Sequence, residues 1–171
     1  MQSHFDLFGL QPAFALDEER LERAYREIQS RVHPDRFAHA GDAERRASLQ
    51  WTTRVNEAYR TLRNPVARAS HLLALNGVDV AFETYTAMPT DFLMQQMALR
   101  EALEDATETR NSTALDQLQQ RIDADKRKLE GRLAERLDTK RDYGGAADLV
   151  RELKFLEKVE AEIDAAYETI E

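Results

Sequence analysis

Apolar side chains recur every three or four residues through most of the chain, which is the spacing of one face of an α-helix. In the first half, two such stripes are long. One consists of Leu21, Tyr25, Ile28 and Val32, and the other of Ala47, Trp51, Val55, Ala58, Tyr59 and Leu62. They predict two amphipathic helices whose apolar faces pack against each other. Shorter apolar stretches at residues 4–10 and 66–75 predict a brief helix before this pair and another after it.

Capping and helix-breaking residues predict where these helices begin and end. Asp17 and Asp42 precede the two stripes, and aspartate is a favoured N-cap residue. Pro34 disfavours helical geometry at His33, so the first long helix should end there. Asn76 and the glycine after it form a helix-stop dipeptide at the end of the first half.

The second half has the same helical spacing over longer segments. Thr90 is expected to cap a helix running to about residue 109, whose core face is Phe92, Leu99, Ala102, Leu103 and Ala106. Two further stripes occupy residues 115–137 and 149–170, and the stretch 142–145 is expected to end the earlier of them. Because short turns join long helices, these three helices should be antiparallel neighbours.

The predicted fold class is therefore all-α, with two units that differ in charge. Residues 1–76 form the first unit, residues 77–89 a linker, and residues 90–171 an antiparallel three-helix bundle. Of the total charge of −8, residues 1–76 contribute +1 and residues 77–171 contribute −9. Such a break in charge beside a turn signal suggests that the two units have different partners.

Composition excludes several classes of function. Without cysteine, the chain has no disulfides, thiolate metal sites or cysteine nucleophiles. Its net negative charge argues against nucleic-acid binding, and it has neither an apolar run long enough to span a membrane nor a signal segment. We therefore predict a cytoplasmic protein that does not bind membranes.

The corner His33-Pro34-Asp35 allows three interpretations from its residues alone. It can be structural, because proline stops the helix, aspartate favours turns and histidine can interact with helix-end carbonyls. It can be a metal site formed by His33, Asp35 and His39, since imidazole and carboxylate groups suit divalent metals. It can also be an acid/base pair of His33 and Asp35, although no other catalytic motif accompanies it.

The surroundings of this corner resemble a J-domain. The order is a short helix, a helix carrying basic residues, the corner, a long helix and a short fourth helix. Arg23 and Arg26 lie on the face of the basic helix opposite its apolar stripe. The resemblance implies docking on a heat-shock-type chaperone and stimulation of its ATPase. His33, Pro34, Asp35 and Arg36 would form the docking loop, and Arg23 and Arg26 would meet an acidic surface.

Nearly the whole chain resembles the HscB family of co-chaperones for iron–sulfur cluster assembly. The similar segments are "MQSHFDLFGLQPAFALD", "NPVARASHLLALNGVDV", "TDFLMQQMALREALED" and "AADLVRELKFLEKV". The resemblance implies a non-enzymatic protein without cofactor that delivers the scaffold IscU to the chaperone HscA. His71 and Ala98 depart from the family pattern, which has tyrosine and glutamate there. The alternatives are a J-protein with a different client and a metal-dependent enzyme using His33, Asp35 and His39.

One helix of the second half has large apolar residues on two sides. Opposite the predicted core face of residues 92–106 lie Leu93, Met94, Met97 and Ala98, beside Glu101. A contiguous apolar patch usually marks a partner site, and methionine adapts to varied surfaces. Phe155, on the last helix, is expected to flank its own core stripe and to join this patch. In the resembled family the matching residues bind the scaffold. Alternatively, the helix is buried against the first unit or a second copy of the chain.

Overall fold

The computed structural model of the protein describes residues 2–82 and 88–171, and no strand occurs in these two ranges. The predicted all-α fold class is confirmed. The chain divides into two compact units, Met1–Gly77 and Val78–Glu171. Residues 83–87, which belong to the predicted linker, lie outside the described residues.

The first unit is a helical hairpin with a short helix at either end. Its helices are α1 (His4–Leu7), α2 (Glu18–Val32), α3 (Asp42–Arg63) and α4 (Pro65–Leu75), and a 3₁₀ turn at Pro34–Phe37 follows α2. Hydrogen bonds between the long helices join Val32 with Ser48, Tyr25 with Asn56, and Glu22 with Tyr59. Because the residue numbers of the bonded partners fall along α2 as they rise along α3, the two helices are antiparallel.

The buried face of α3 differs from the predicted one. Val55, Ala58 and Leu62 of the predicted stripe are buried, but Ala47 and Trp51 are exposed and Ser48 is buried in their place. The helix is turned so that the Ser48 hydroxyl reaches the Val32 carbonyl at the end of α2. A buried carbonyl needs a donor, whereas an indole can remain partly in water. The Arg54 guanidinium lies over the Trp51 ring, 5.3 Å from its centroid.

Two stacked histidines join α1 to α4. The backbone N–H of His4 donates to Nε2 of His71 over 3.2 Å, and the ring centroids are 4.3 Å apart. Fully buried Phe5 lies against the same imidazole. Burial, followed by the influence of His4, lowers the pKa of His71 below its ordinary value. The neutral ring is therefore part of the packed structure.

The second unit is a three-helix bundle of α5 (Thr90–Glu108), α6 (Ser112–Ala134) and α7 (Tyr143–Ile170), and each helix contacts the other two. A π-helical turn at Glu135–Lys140 extends α6. All six residues of the predicted α6 stripe are buried: Leu115, Leu118, Ile122, Leu129, Leu133 and Leu137. Buried Val80 also belongs to this unit, and its carbonyl accepts a hydrogen bond of 2.9 Å from Nε of Arg151 on α7.

Several helix ends differ from the predicted ones. The N-caps of α3 and α5 are Gly41 and Pro89, so Asp42 and Thr90 are the first helical residues instead of caps. The stretch 142–145 starts α7 instead of ending α6. The Asp142 carboxylate caps α7 through the Gly145 N–H over 3.0 Å. A Cβ at Gly145 would collide with that carboxylate and with the Arg136 guanidinium, so a larger residue would displace these side chains from the cap.

Candidate functional site

The corner after α2 presents a carboxylate to solvent on a locally ordered turn. His33 is the C-cap residue of α2 and the N-cap of the Pro34–Phe37 turn. The backbone N–H of Asp35 donates to Nδ1 of His33 over 3.2 Å. The Asp35 side chain is 91% exposed. The corner therefore fixes the backbone through proline and imidazole and leaves the aspartate side chain available to a partner.

Side chains from α3 and from the turn itself satisfy the carbonyls at the end of α2. The Val32 carbonyl accepts from Ser48 Oγ at 2.6 Å and from Thr52 Oγ1 at 3.2 Å. The Arg36 guanidinium donates to the Ser30 carbonyl at 3.0 Å. These three residues take the role that sequence reasoning offered to His33. Ser48 and Thr52 were not identified from sequence. Their spacing of four residues from each other, and of three from Thr52 to the buried Val55, places all three on one face of the helix and was the available signal.

The histidine of the corner accepts a hydrogen bond from within its own turn. Because Nδ1 accepts the Asp35 N–H, the neutral ring carries its proton on Nε2. The Asp35 carboxylate is 3.5 Å from the same Nδ1, a contact that becomes an ion pair only if the ring is protonated. The hydrogen bond with the N–H and the ion pair exclude each other. In the structure the contact with the N–H is the shorter of the two.

The corner does not assemble the metal site considered from sequence. In the described ranges, no group of three or more histidine, aspartate or glutamate side chains could hold a metal ion. His33, Asp35 and His39 are all described, so their short separation in sequence does not bring three ligands together. The metal interpretation loses its geometric basis.

The arginines of α2 differ in their partners. Arg23 and Arg26 are both exposed, as the helical projection predicts. Nε of Arg26 is 3.0 Å from the Glu22 carboxylate, which also accepts from the Tyr59 hydroxyl. The Tyr59 hydrogen bond, with Arg26 contributing, lowers the pKa of Glu22. Within the described residues, 2–82 and 88–171, no ion pair involves Arg23. The charge of Arg23 is therefore more available to a partner than that of Arg26.

On α5, a patch of apolar side chains faces solvent. Leu93 is 43% exposed, Met94 64% and Met97 71%. Exposed Ala98 and Glu101 continue the same face at helical spacing. We call these five residues the α5 patch. Large apolar side chains this exposed and this close together are unusual on a surface that meets only water.

Beyond Met97, the outer face of α5 becomes acidic. A shallow groove of about 520 Å³ is lined by Ala98, Glu101, Ala102, Glu104, Asp105 and Glu108. The prediction that Ala102 belongs to the core is wrong, because this residue is exposed. The α5 patch is thus bordered on one side by carboxylates.

Phe155 does not belong to the exposed surface, in contrast to the expectation from sequence. Its side chain is only 8% exposed. The ring meets buried Phe92 edge to face at 5.6 Å between centroids, and the Arg100 guanidinium lies over it at 5.7 Å. Arg100 in turn pairs with Glu162 at 3.3 Å. The aromatic ring of Phe155 therefore completes the contact between α5 and α7.

Comparison with known proteins identifies the family. Residues 88–164 match the family model described as the HSCB C-terminal oligomerisation domain. The chain is 54% identical over 169 residues to a co-chaperone protein HscB homolog from Burkholderia cenocepacia, covering 99% of this chain and 96% of that one. The chain belongs to the HscB family of co-chaperones. Its relatives are thus named as co-chaperones and not as enzymes, in line with the predicted absence of catalytic activity.

Solved HscB structures have the same architecture. Chaperone HscB from Vibrio cholerae superposes with a TM-score of 0.86 at 34% identity, covering 99% of both chains. The human co-chaperone protein HscB gives 0.91 at 25% identity, covering 96% of this chain and 82% of that one. The two units are accordingly the N-terminal J-domain and the C-terminal bundle of an HscB protein. No helix in the described part of the chain is long and apolar enough to cross a membrane.

Proposed function

We propose that this protein stimulates the ATPase of an HscA-type heat-shock chaperone and delivers an IscU-type scaffold to it during iron–sulfur cluster assembly in the cytoplasm. Membership of the HscB family supports the proposal. The observation that carries it is that one unit has an exposed Asp35 at its corner and the other unit has the exposed α5 patch. One chain thus offers two surfaces of different chemistry.

On the J-domain, Asp35 is the group that contacts the chaperone. Its carboxylate is exposed, and among residues 2–82 and 88–171 its one ion-pair contact is with His33, so it can pair with a cation of the chaperone. His33 and Pro34 keep the turn in shape, because they bind and restrain the backbone on either side. Arg23 and Arg26 steer an acidic chaperone surface towards the corner. Arg36 joins the contact if its hydrogen bond to the Ser30 carbonyl opens.

On the bundle, the α5 patch binds the scaffold. Leu93, Met94 and Met97 provide apolar area, and Ala98 leaves room for the partner to approach the helix. Glu101 and the acidic groove favour a partner with basic residues beside an apolar surface. Phe155 is nearly buried and supports α5 through its contact with Phe92.

Holding both partners on one chain has a direct physical benefit. Binding of the scaffold to the bundle turns its encounter with the chaperone into an intramolecular event at a raised effective concentration. ATP hydrolysis triggered through Asp35 then traps the scaffold on the chaperone. Neither step needs a catalytic group or a cofactor on this chain.

The steady-state ATPase rate of an HscA-type chaperone tests the proposal. The rate is measured with this protein and the scaffold, added singly and together. We expect synergy between them, and we expect Asp35→Asn to abolish stimulation without changing the circular dichroism spectrum, because the carboxylate is exposed. Glu44→Gln, which neutralises another exposed carboxylate of the same unit, is the matched control and should stimulate normally.

Each other outcome removes a defined part of the proposal. Full stimulation by Asp35→Asn would refute the role of the corner. Stimulation without synergy would leave a co-chaperone with a different client. Sedimentation of the chain alone, alongside the scaffold titration, tests whether the α5 patch binds a second copy instead.

A further inference from the structure

The sulfur chemistry of this chain is concentrated on one surface. There is no cysteine, and there are four methionines. Three of them lie in the described residues. Met88 is half-buried, whereas Met94 and Met97 are 64% and 71% exposed on the first turns of α5. The two most accessible of these thioethers are therefore neighbours within the α5 patch.

Exposed thioethers react with peroxides without help from other residues. Hydrogen peroxide transfers one oxygen atom to the sulfur, so an S–O bond forms as the O–O bond breaks and water leaves. The sulfur loses two electrons and the peroxide gains them. Reaction depends on access to the sulfur, which favours Met94 and Met97 over Met88. The product is reversible, because methionine sulfoxide reductases restore the thioether.

The other residues of the α5 patch offer a sulfoxide no hydrogen-bond donor. Leu93 and Ala98 have apolar side chains, and an ionised carboxylate such as that of Glu101 offers only acceptors. A sulfoxide oxygen is a strong acceptor, so an apolar partner that covers it would leave it unpaired. The core face of α5, formed by Phe92, Leu99, Leu103 and Ala106, is separate from the patch. Oxidation should consequently spare the fold.

We propose that Met94 and Met97 form a reversible oxidation site whose sulfoxides close the α5 patch to its protein partner. The inference rests on the proposed function, because the partner is the scaffold named there. Peroxide would thereby uncouple scaffold delivery from the J-domain, whose corner contains no sulfur. Stimulation of the chaperone by the J-domain alone would continue.

The test uses the full chain, oxidised with graded hydrogen peroxide that is removed before the scaffold is added. Peptide mass spectrometry should show Met94 and Met97 oxidised before Met88. Calorimetry should show scaffold affinity weakened by at least about tenfold at full oxidation, as expected for polar groups buried without partners. Treatment with both sulfoxide reductases and a thiol reductant should restore it. The thermal unfolding midpoint should stay unchanged throughout.

Variants separate this site from general oxidative damage. For each protein, affinity after oxidation is divided by its own affinity before. The double variant Met94→Leu/Met97→Leu should give a ratio near one, whereas Met88→Leu should lose affinity as the unsubstituted chain does. An equal loss in the double variant, or oxidation of Met88 first, would overturn the inference. If the untreated chain does not bind the scaffold, both the proposed function and the inference are refuted. If it binds and oxidation changes nothing, only the inference fails.

Discussion

Replacing Phe155 by alanine should destabilise the bundle, whereas replacing Met97 by alanine should not. Phe155 is 8% exposed and meets Phe92 edge to face, while Met97 is 71% exposed. Both residues were assigned to scaffold binding from sequence. Their different burial means that loss of binding would have a different cause in each variant.

The expected magnitudes follow from these contacts. Truncation of a buried phenylalanine to alanine costs about 3–5 kcal/mol, through lost burial and the remaining cavity. Of this, the edge-to-face pair with Phe92 represents about 0.5–1.5 kcal/mol. The Arg100 guanidinium over the ring lies near the surface and contributes about 0.5–1 kcal/mol. For Met97, most of the side chain is in water already, so the free energy of unfolding should change by less than about 0.5 kcal/mol.

Urea unfolding followed by far-ultraviolet circular dichroism measures the free energies, and hydrogen exchange of α7 peptides locates the change. Trp51, the chain's single tryptophan, lies in the first unit and provides a separate probe of that unit. Scaffold binding is then measured by calorimetry at a temperature where each variant is folded. We expect Met97→Ala to weaken binding with unchanged stability.

One result would refute this reasoning. If Phe155→Ala retained the stability and the α7 exchange protection of the unsubstituted chain but bound the scaffold more weakly, Phe155 would be a surface anchor. The assignment made from sequence would then be right, and the buried ring would turn outward in the complex.

Two further predictions concern the J-domain. Ser48→Ala should lower the free energy of unfolding by about 1 kcal/mol, since Thr52 still donates to the Val32 carbonyl. Adding Thr52→Val should bring the loss to about 2–3 kcal/mol and reduce chaperone stimulation. Equal urea midpoints for the single and double variants would contradict this role of the two hydroxyl groups. Because burial lowers the pKa of His71, the unfolded state binds a proton first as the pH falls below about 6.5, so stability declines there and levels off below the folded pKa. His71→Gln keeps an acceptor for the His4 N–H, and its unfolding free energy should decline less than that of the unsubstituted chain between pH 7 and 5.

The helical architecture could be predicted from sequence because the core positions of α6 are uniformly aliphatic. Each leucine or isoleucine of that stripe points the same way, and all of them are buried. On α3 the prediction was right for Val55, Ala58 and Leu62 but wrong for Ala47 and Trp51, which are exposed although they are apolar. Trp51 is more hydrophobic than Ser48, yet Ser48 is inside because the end of α2 supplies an unpaired carbonyl. That carbonyl belongs to a different helix, so the need for a donor is invisible in the local pattern.

The candidate site was predictable to a similar extent. Helical projection identified the exposed face of α5, since Leu93, Met94 and Met97 all lie outward. It misjudged Phe155, because a residue at the flank of one helix is buried or exposed according to its neighbour. Phe92 and Arg100 decide that question, and they lie on a different helix. The corner motif was identified from order and composition, but its support by Ser48 and Thr52 required the packed hairpin.

The electrostatic part of chaperone docking should depend on Arg23 more than on Arg26. Arg26 already pairs with Glu22, and the Tyr59 hydroxyl helps keep that glutamate ionised by lowering its pKa. An acidic surface that approaches Arg26 must compete with this carboxylate or be repelled by it. Arg23, on the same exposed face, has no such ion pair within the described residues. Two arginines that are equivalent on a helical projection therefore differ in the charge they offer, because Glu22 lies one turn before Arg26 on α2 and Tyr59 of α3 lowers the pKa of that glutamate.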